Sequence, residues 1–291
     1  MNFDTVIHSG TIATADLTAR GDIGIRDGRI VAVAEKLSGG ARRIDAGGRI
    51  VMPGGIEAHA HIAQESSSGI MTADDYLSGS VSAAFGGNSA IIPFAAQQRG
   101  QSVDEVIEAY ASRAAPSVLD YSWHLIITDP SEDVLSDQLP RAFAMGITSF
   151  KVFMTYDLMN LGDGGMLDIL SVARQHGAIT MVHAENNDMV KWMNRQLAAK
   201  GLSAPKYHAI SRPELAEEEA INRAIQLAKL VDAPLFIVHV STAGGAAIVR
   251  REKFNGAKLY AETCPQYLAL TRDDLDRPGM EGAKYVCSPP L

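Results

Sequence analysis

From residue 50 onward, apolar strand-like runs alternate with helix-like stretches, and this alternation restricts the fold more than any other feature. The runs cover residues 50–61, 88–94, 121–128, 148–156, 178–184, 234–241 and 258–264. Between them lie amphipathic segments such as 103–114, 133–144 and 166–176. A helix is predicted from Pro213 to about Leu230, with Leu215, Ala216, Ile221, Ala224, Ile225 and Ala228 at helical spacing. Ser211 and Glu214 have the spacing of a capping box, and Pro213 suits a first turn.

Strand and helix in repeated succession argue for a parallel sheet covered by helices. Seven such strands exceed a small doubly wound sheet and suit a TIM-like α/β barrel of the (β/α)8 kind. An eighth strand is not found, so the barrel is expected to span residues 51–291 and to be incomplete, stopping before its last strand. Residues 1–50 read differently, as short β-like pieces separated by turn signals such as Asp27-Gly28 and Gly47-Gly48. They are expected to form a small all-β segment, part of a β-sandwich.

The formal net charge is −8, with acids and bases mixed along the chain. No basic stripe suggests nucleic acid and no polybasic segment suggests an anionic membrane. The first fifteen residues lack the pattern of a signal peptide, and no apolar run approaches bilayer length. Cys264 and Cys287 are the only cysteines, too few for a disulfide framework, so a cytoplasmic location is expected.

His59-Ala60-His61 closes the first apolar run. Residues two apart on a strand point to the same side, so both imidazoles can face one point. Two later runs contain His183 and His239 near their ends, and Lys151 lies inside Phe150-Lys151-Val152-Phe153-Met154. Any one of these histidines alone reads as a hydrogen-bonded core or rim residue, as do His8, His124, His176 and His208. Four at the ends of three strands read as ligands of a metal such as zinc. Lysine within an apolar strand is costly unless it is paired or neutral. A neutral amine beside cations could add CO2 and become a carbamate, an anionic oxygen ligand.

Several stretches resemble the cyclic amidohydrolases, most closely the dihydropyrimidinase and D-hydantoinase branch. They are Pro53-Gly54-Gly55-Ile56-Glu57-Ala58-His59-Ala60-His61, Phe150-Lys151-Val152-Phe153-Met154-Thr155-Tyr156, Val182-His183-Ala184-Glu185-Asn186, Tyr207-His208-Ala209-Ile210-Ser211-Arg212-Pro213 and Glu262-Thr263-Cys264-Pro265-Gln266-Tyr267-Leu268. The resemblance implies a metal-dependent hydrolase that opens a dihydropyrimidine or 5-substituted hydantoin to an N-carbamoyl amino acid. It implies two divalent ions, with zinc the expected metal. His59 and His61 would hold one ion, His183 and His239 the second, and a CO2-derived carbamate on Lys151 would bridge them. Tyr156 would stabilise the oxyanion, and the Ser288 backbone would hold the imide edge of the ring. The partner is then a small cyclic amide, and the family suggests a homo-oligomer, a tetramer.

Two departures accompany the resemblance. Glu57 stands where the family usually has Asp. The family's remaining ligand, an aspartate on an eighth strand, has no counterpart in these 291 residues, and none of the acids present is assigned to it. The chain therefore reads as an N-terminal portion of such an enzyme, expected to hydrolyse weakly or not at all by itself. An allantoinase-type activity and a non-catalytic scaffold are the alternatives. Ala63, where dihydroorotases commonly carry arginine, argues against a charged acid substrate. The polar loop 63–71 would face the active site.

Overall fold

The computed structural model describes residues 2–65 and 69–291. Fourteen strands follow in chain order among them: β1 (Thr5–Ala13), β2 (Thr18–Arg26), β3 (Arg29–Ala34), β4 (Arg42–Asp45), β5 (Ile50–Val51), β6 (Gly55–Glu57), β7 (Asn88–Ile91), β8 (Phe94–Ala96), β9 (Asp120–Tyr121), β10 (His124–Ile126), β11 (Ser149–Phe153), β12 (Ile179–His183), β13 (Leu235–Ile237) and β14 (Leu259–Ala261). The helices are α1 (Tyr76–Phe85), α2 (Val103–Ala114), α3 (Leu139–Ala144), α4 (Gly162–His176), α5 (Asn187–Ala199), α6 (Tyr207–Ser211), α7 (Glu214–Leu230), α8 (Ala243–Phe254) and α9 (Pro265–Ala269). The chain divides into two compact units, one running to Ile56 and including Phe85–Ala90, the other holding Glu57–Ala84 and Ile91–Leu291.

The first unit is a β-sheet in the order β3-β2-β1-β4, with β5 pairing alongside β1. Asp27 and Gly28 link β2 to β3 with φ of 51° and 71°. Two successive positive φ values are what a type I′ hairpin turn requires, and Asp-Gly tolerates them. Phe3, Val6, Ile12 and Ile23 form its buried side. Gly24 lies so close to the Phe3 ring that a Cβ there would overlap it.

The second unit carries a six-stranded parallel sheet, in the order β14-β13-β12-β11-β10-β8. Its two faces follow from the alternation of side chains along a strand. Leu125, Phe150, Val152, Val182, Leu235 and Ile237 pack with helix residues such as Ile169, Leu170, Ile221 and Ile225. Phe94, Ile126, Phe153 and Met181 form a separate small cluster on the opposite face. Lys151 pairs in register with Ile126 and Met181 and shares that second face.

Three expectations change. The parallel sheet has six strands, not seven, because the run 50–61 yields only β5 and β6 and neither joins it. His59 and His61 consequently lie just beyond a strand, not within one. The chain there still runs beside residues 92–94, since Ile92 N donates to Glu57 O at 2.7 Å and Phe94 N to Ala60 O at 3.2 Å. Between these two bonds one segment advances three residues, Glu57 to Ala60, and the other only two, Ile92 to Phe94, so the register slips and no regular ladder continues. The third change is at α7, whose N-cap is Pro213, without a side-chain cap bond. The Ser211 hydroxyl instead donates to His208 O at 2.7 Å, closing the preceding helix. A capping box does exist at α2, where Ser102 and Glu105 cap each other.

Candidate active site

Lys151 is the central residue of β11, all five of whose residues are buried. Only 1% of its surface is exposed. Its Nζ lies 4.6 Å from the centre of the Phe94 ring and 5.1 Å from that of Phe153. Burial lowers its pKa to about 7, and the charges of Glu262 and Cys264 oppose that only in part. An appreciable fraction of this amine is therefore neutral near pH 7.

The four histidines surround the same space. Ring centres are 4.5 Å apart for His183 and His239, 5.3 Å for His59 and His239, and 5.7 Å for His59 and His61. His183 ends β12 in register with Phe153, which places its ring on the Lys151 face. His239 follows β13 with φ of 41°, a left-handed conformation that departs from the strand's alternation. Its Nδ1 is buried without a hydrogen-bond partner. Burial pushes His183 down and His239 well below the usual imidazole range. His61 is reached from the pocket but hemmed in by protein, and that crowding takes it to about 4. Neutral imidazoles are the form that ligates cations.

Each of three imidazoles has an acceptor on one ring nitrogen. Glu262 meets His59 Nδ1, Gln64 Oε1 is 2.5 Å from His61 Nδ1, and Glu185 Oε2 is 2.5 Å from His183 Nε2. The His59 backbone N–H also donates to Glu57 Oε1 at 2.8 Å. Glu185 in turn accepts from Arg212 Nη1 at 2.5 Å, both side chains being almost wholly buried. Burial pushes the Glu185 carboxyl up, but the bonds from His183 and Arg212 outweigh it and hold the group below its ordinary value. Arg212 also lies over the Tyr156 ring at 5.1 Å, and Tyr156 adopts φ of 66°.

All seven residues singled out from the sequence, His59, His61, Lys151, Tyr156, His183, His239 and Ser288, line one pocket of 640 Å³. Among the described residues, no three His, Cys, Asp or Glu groups are drawn together into a ready cation cage. The donor chemistry nonetheless fits a borderline divalent ion: four imidazoles, three of them pushed down by burial and one of those with an orphaned buried nitrogen, around an amine of lowered pKa. His124 is structural, its Nε2 donating to Ala58 O at 3.0 Å. His208 is likewise hydrogen-bonded, its Nε2 lying 2.7 Å from Cys287 O beside Ser288. Glu185, Arg212, Glu262 and Gln64 were not singled out from the sequence. For Glu185 and Glu262 the available signal was an acid inside a histidine-bearing or cysteine-bearing motif. Of the loop 63–71, Ser66, Ser67 and Ser68 lie outside the described residues, while Glu65 bridges to Met71 and Thr72 N bonds Gln64 O.

A parallel α/β sheet that brings His183, His239 and a buried amine beside the imidazoles of His59 and His61 resembles the amidohydrolases in its layout. Along 99% of its length the chain is similar to D-hydantoinases and to a dihydropyrimidinase. It is 44% identical over 289 residues to a D-hydantoinase of Ralstonia pickettii, covering 99% of this chain and 63% of the relative. It is 43% identical over 289 residues to a D-hydantoinase of Rhizobium radiobacter, with the same coverage. A solved D-hydantoinase structure superposes with a TM-score of 0.95 at 43% identity, covering 99% of this chain and 63% of the other. The crystal structure of a dihydropyrimidinase from Brevibacillus agri NCHU1002 gives 0.95 at 40% identity, with the same coverage. No family model matches. The chain thus spans about 63% of the length of the relatives it resembles. No helix among the described residues is long and apolar enough to cross a membrane.

Proposed function

We propose that this chain supplies the metal-binding and substrate-facing groups of a cyclic-amide hydrolase. Its substrate class is a dihydropyrimidine or a 5-substituted hydantoin, opened to an N-carbamoyl amino acid. The convergence of Lys151 and four histidines on one pocket carries the reading, and the likeness to D-hydantoinases supports it. The six parallel strands are read as part of a (β/α)8 barrel, with residues 1–50 as an appended β domain. A cytoplasmic, homotetrameric enzyme without nucleic-acid or membrane partners completes the proposal.

His59 and His61 would hold one divalent ion and His183 and His239 another, with zinc favoured. Lys151, neutral in appreciable fraction near pH 7, would add CO2 through a new N–C bond and release one proton to solvent, giving a carbamate whose oxygens could ligate the ions. Such ions, when bound, turn water into a nucleophile near neutral pH and polarise a carbonyl. The chain's own groups do the rest. The Tyr156 phenol donates to the carbonyl oxygen as negative charge develops there. The Ser288 backbone holds the imide edge and orients the ring. Glu262, Gln64 and Glu185 fix the imidazole orientations through their hydrogen bonds.

Metal analysis and carbon-13 labelling test this. The purified chain should bind divalent metal in near-stoichiometric amount, and labelled bicarbonate should give a carbamate resonance that Lys151→Ala abolishes. Absence of both signals from folded protein would rule the reading out. Turnover of dihydrouracil, 5-substituted hydantoins and allantoin then separates the substrate classes.

A further inference from the structure

Two side chains outside the set of four histidines and Lys151 grip the backbone around Ser288. His208 Nε2 lies 2.7 Å from Cys287 O and 3.2 Å from Ser288 Oγ. A carbonyl oxygen only accepts, so Nε2 carries the hydrogen and shares it between the two oxygens. The Ser288 hydroxyl hydrogen is then not spent on His208. His208 is itself fastened, because Ser211 Oγ donates to its carbonyl at 2.7 Å. On the other side of Ser288, the Tyr267 hydroxyl donates to Pro289 O at 2.6 Å, and Cys287 Sγ reaches the same oxygen at 3.3 Å.

The carbonyls on either side of Ser288 are therefore occupied, while among the described residues neither its N–H nor its C=O has a protein partner. Ser288 lines the same pocket as Tyr156. Unpaired main-chain donors and acceptors beside a pocket are suited to a ring edge that alternates C=O and N–H.

We propose that His208 and Tyr267 are positioning residues, locking the 287–289 main chain so that the free polar groups of Ser288 are presented to a cyclic imide. This rests on the functional reading above and deepens it by naming the two side chains that hold the Ser288 main chain in place. Burial lowers the His208 pKa, which favours the single-hydrogen donor that the contact with Cys287 O requires.

The test uses the 291-residue chain as wild type, His208→Ala, His208→Gln and Tyr267→Phe, with hydantoin as the probe. Hydrogen–deuterium exchange over residues 284–291 needs no ligand. It should quicken about ten-fold in His208→Ala, less in Tyr267→Phe, and return towards wild type in His208→Gln, which restores a donor. Hydantoin affinity, read by calorimetry, should fall about ten-fold in His208→Ala and recover in His208→Gln, with zinc content unchanged in all variants. Unaltered exchange, unaltered affinity or loss of zinc in His208→Ala would each overturn the positioning role. A wild-type chain that binds no hydantoin would defeat the functional reading instead, and exchange alone would then decide whether the two side chains hold the segment.

Discussion

The amine of Lys151 stands 4.6 Å above the face of Phe94, enclosed in a strand with no exposed residue. Aromatic faces attract a cation only modestly compared with the water it gives up. The aliphatic stem packs well there, but the amine lowers the stability of the metal-free fold. An unbranched apolar side chain would fill the same space at no electrostatic cost. A group retained at such expense beside four imidazoles points to chemistry over stability.

Lys151→Met should therefore stabilise the metal-free protein. Burial takes the amine from 10.5 to about 7. Between those values the unfolded chain binds more protons than the folded one, so this group's contribution to stability rises with pH across that window. The gain from Lys151→Met is predicted to be about 2–4 kcal/mol at pH 7 and to shrink towards pH 10. Denaturant unfolding at the two pH values, with chelator present, measures it. No gain at pH 7 would mean that the amine finds a better partner than two aromatic rings.

Glu185 and Arg212 should behave in the opposite way. Their ion pair is almost wholly buried, and Glu185 also bonds His183. Removing one partner leaves a desolvated charge. Arg212→Met is expected to cost about 3–5 kcal/mol. Arg212→Lys should recover only part of that, since ammonium cannot reproduce the planar fork over Tyr156. The urea midpoints of the two variants, at unchanged m-value, provide the comparison.

These two buried ionic groups differ in how visible they are in the sequence. Lys151 stands out because an apolar strand surrounds it on both sides along the chain. The histidines stand out because each closes an apolar run. Arg212 lies 27 residues from Glu185, Glu262 lies 203 from His59 and His208 lies 79 from Cys287. An acid or base in a loop carries no local mark of a partner that far away, so only folding reveals the pairs. Strand and helix positions were largely readable, because apolar periodicity is a local property. The errors came from strand register and hydrogen-bond competition. The register slips between Glu57 and Ala60, which ends the ladder before His59, and Ser211 spends its hydroxyl on the helix it closes.

Metal removal should lower stability, provided that ions bind the native state alone. Zinc at one hundred times its Kd is expected to add about 2.7 kcal/mol to the unfolding free energy. His183→Ala and His239→Ala should lose most of this increment. His176→Ala should keep it, because His176 does not line the pocket. Melting curves with chelator and with added zinc give the answer. An equal zinc response in all three variants would place the ion elsewhere.

Tyr156→Phe separates transition-state stabilisation from simple binding. The Tyr156 ring meets His183 edge-on at 5.5 Å, and Arg212 covers it. Phenylalanine keeps both contacts and removes only the hydroxyl. If that hydroxyl donates mainly to the developing oxyanion, kcat should fall about 100-fold with KM nearly unchanged. A raised KM at constant kcat would instead show that the phenol binds the ground state and the transition state equally. The assay is hydantoin hydrolysis by the zinc-loaded protein, at protein concentrations high enough to read the weak turnover expected of this chain, compared with Arg212→Lys. That variant disturbs the ring's support while keeping the hydroxyl, so its loss in kcat should be smaller than that of Tyr156→Phe.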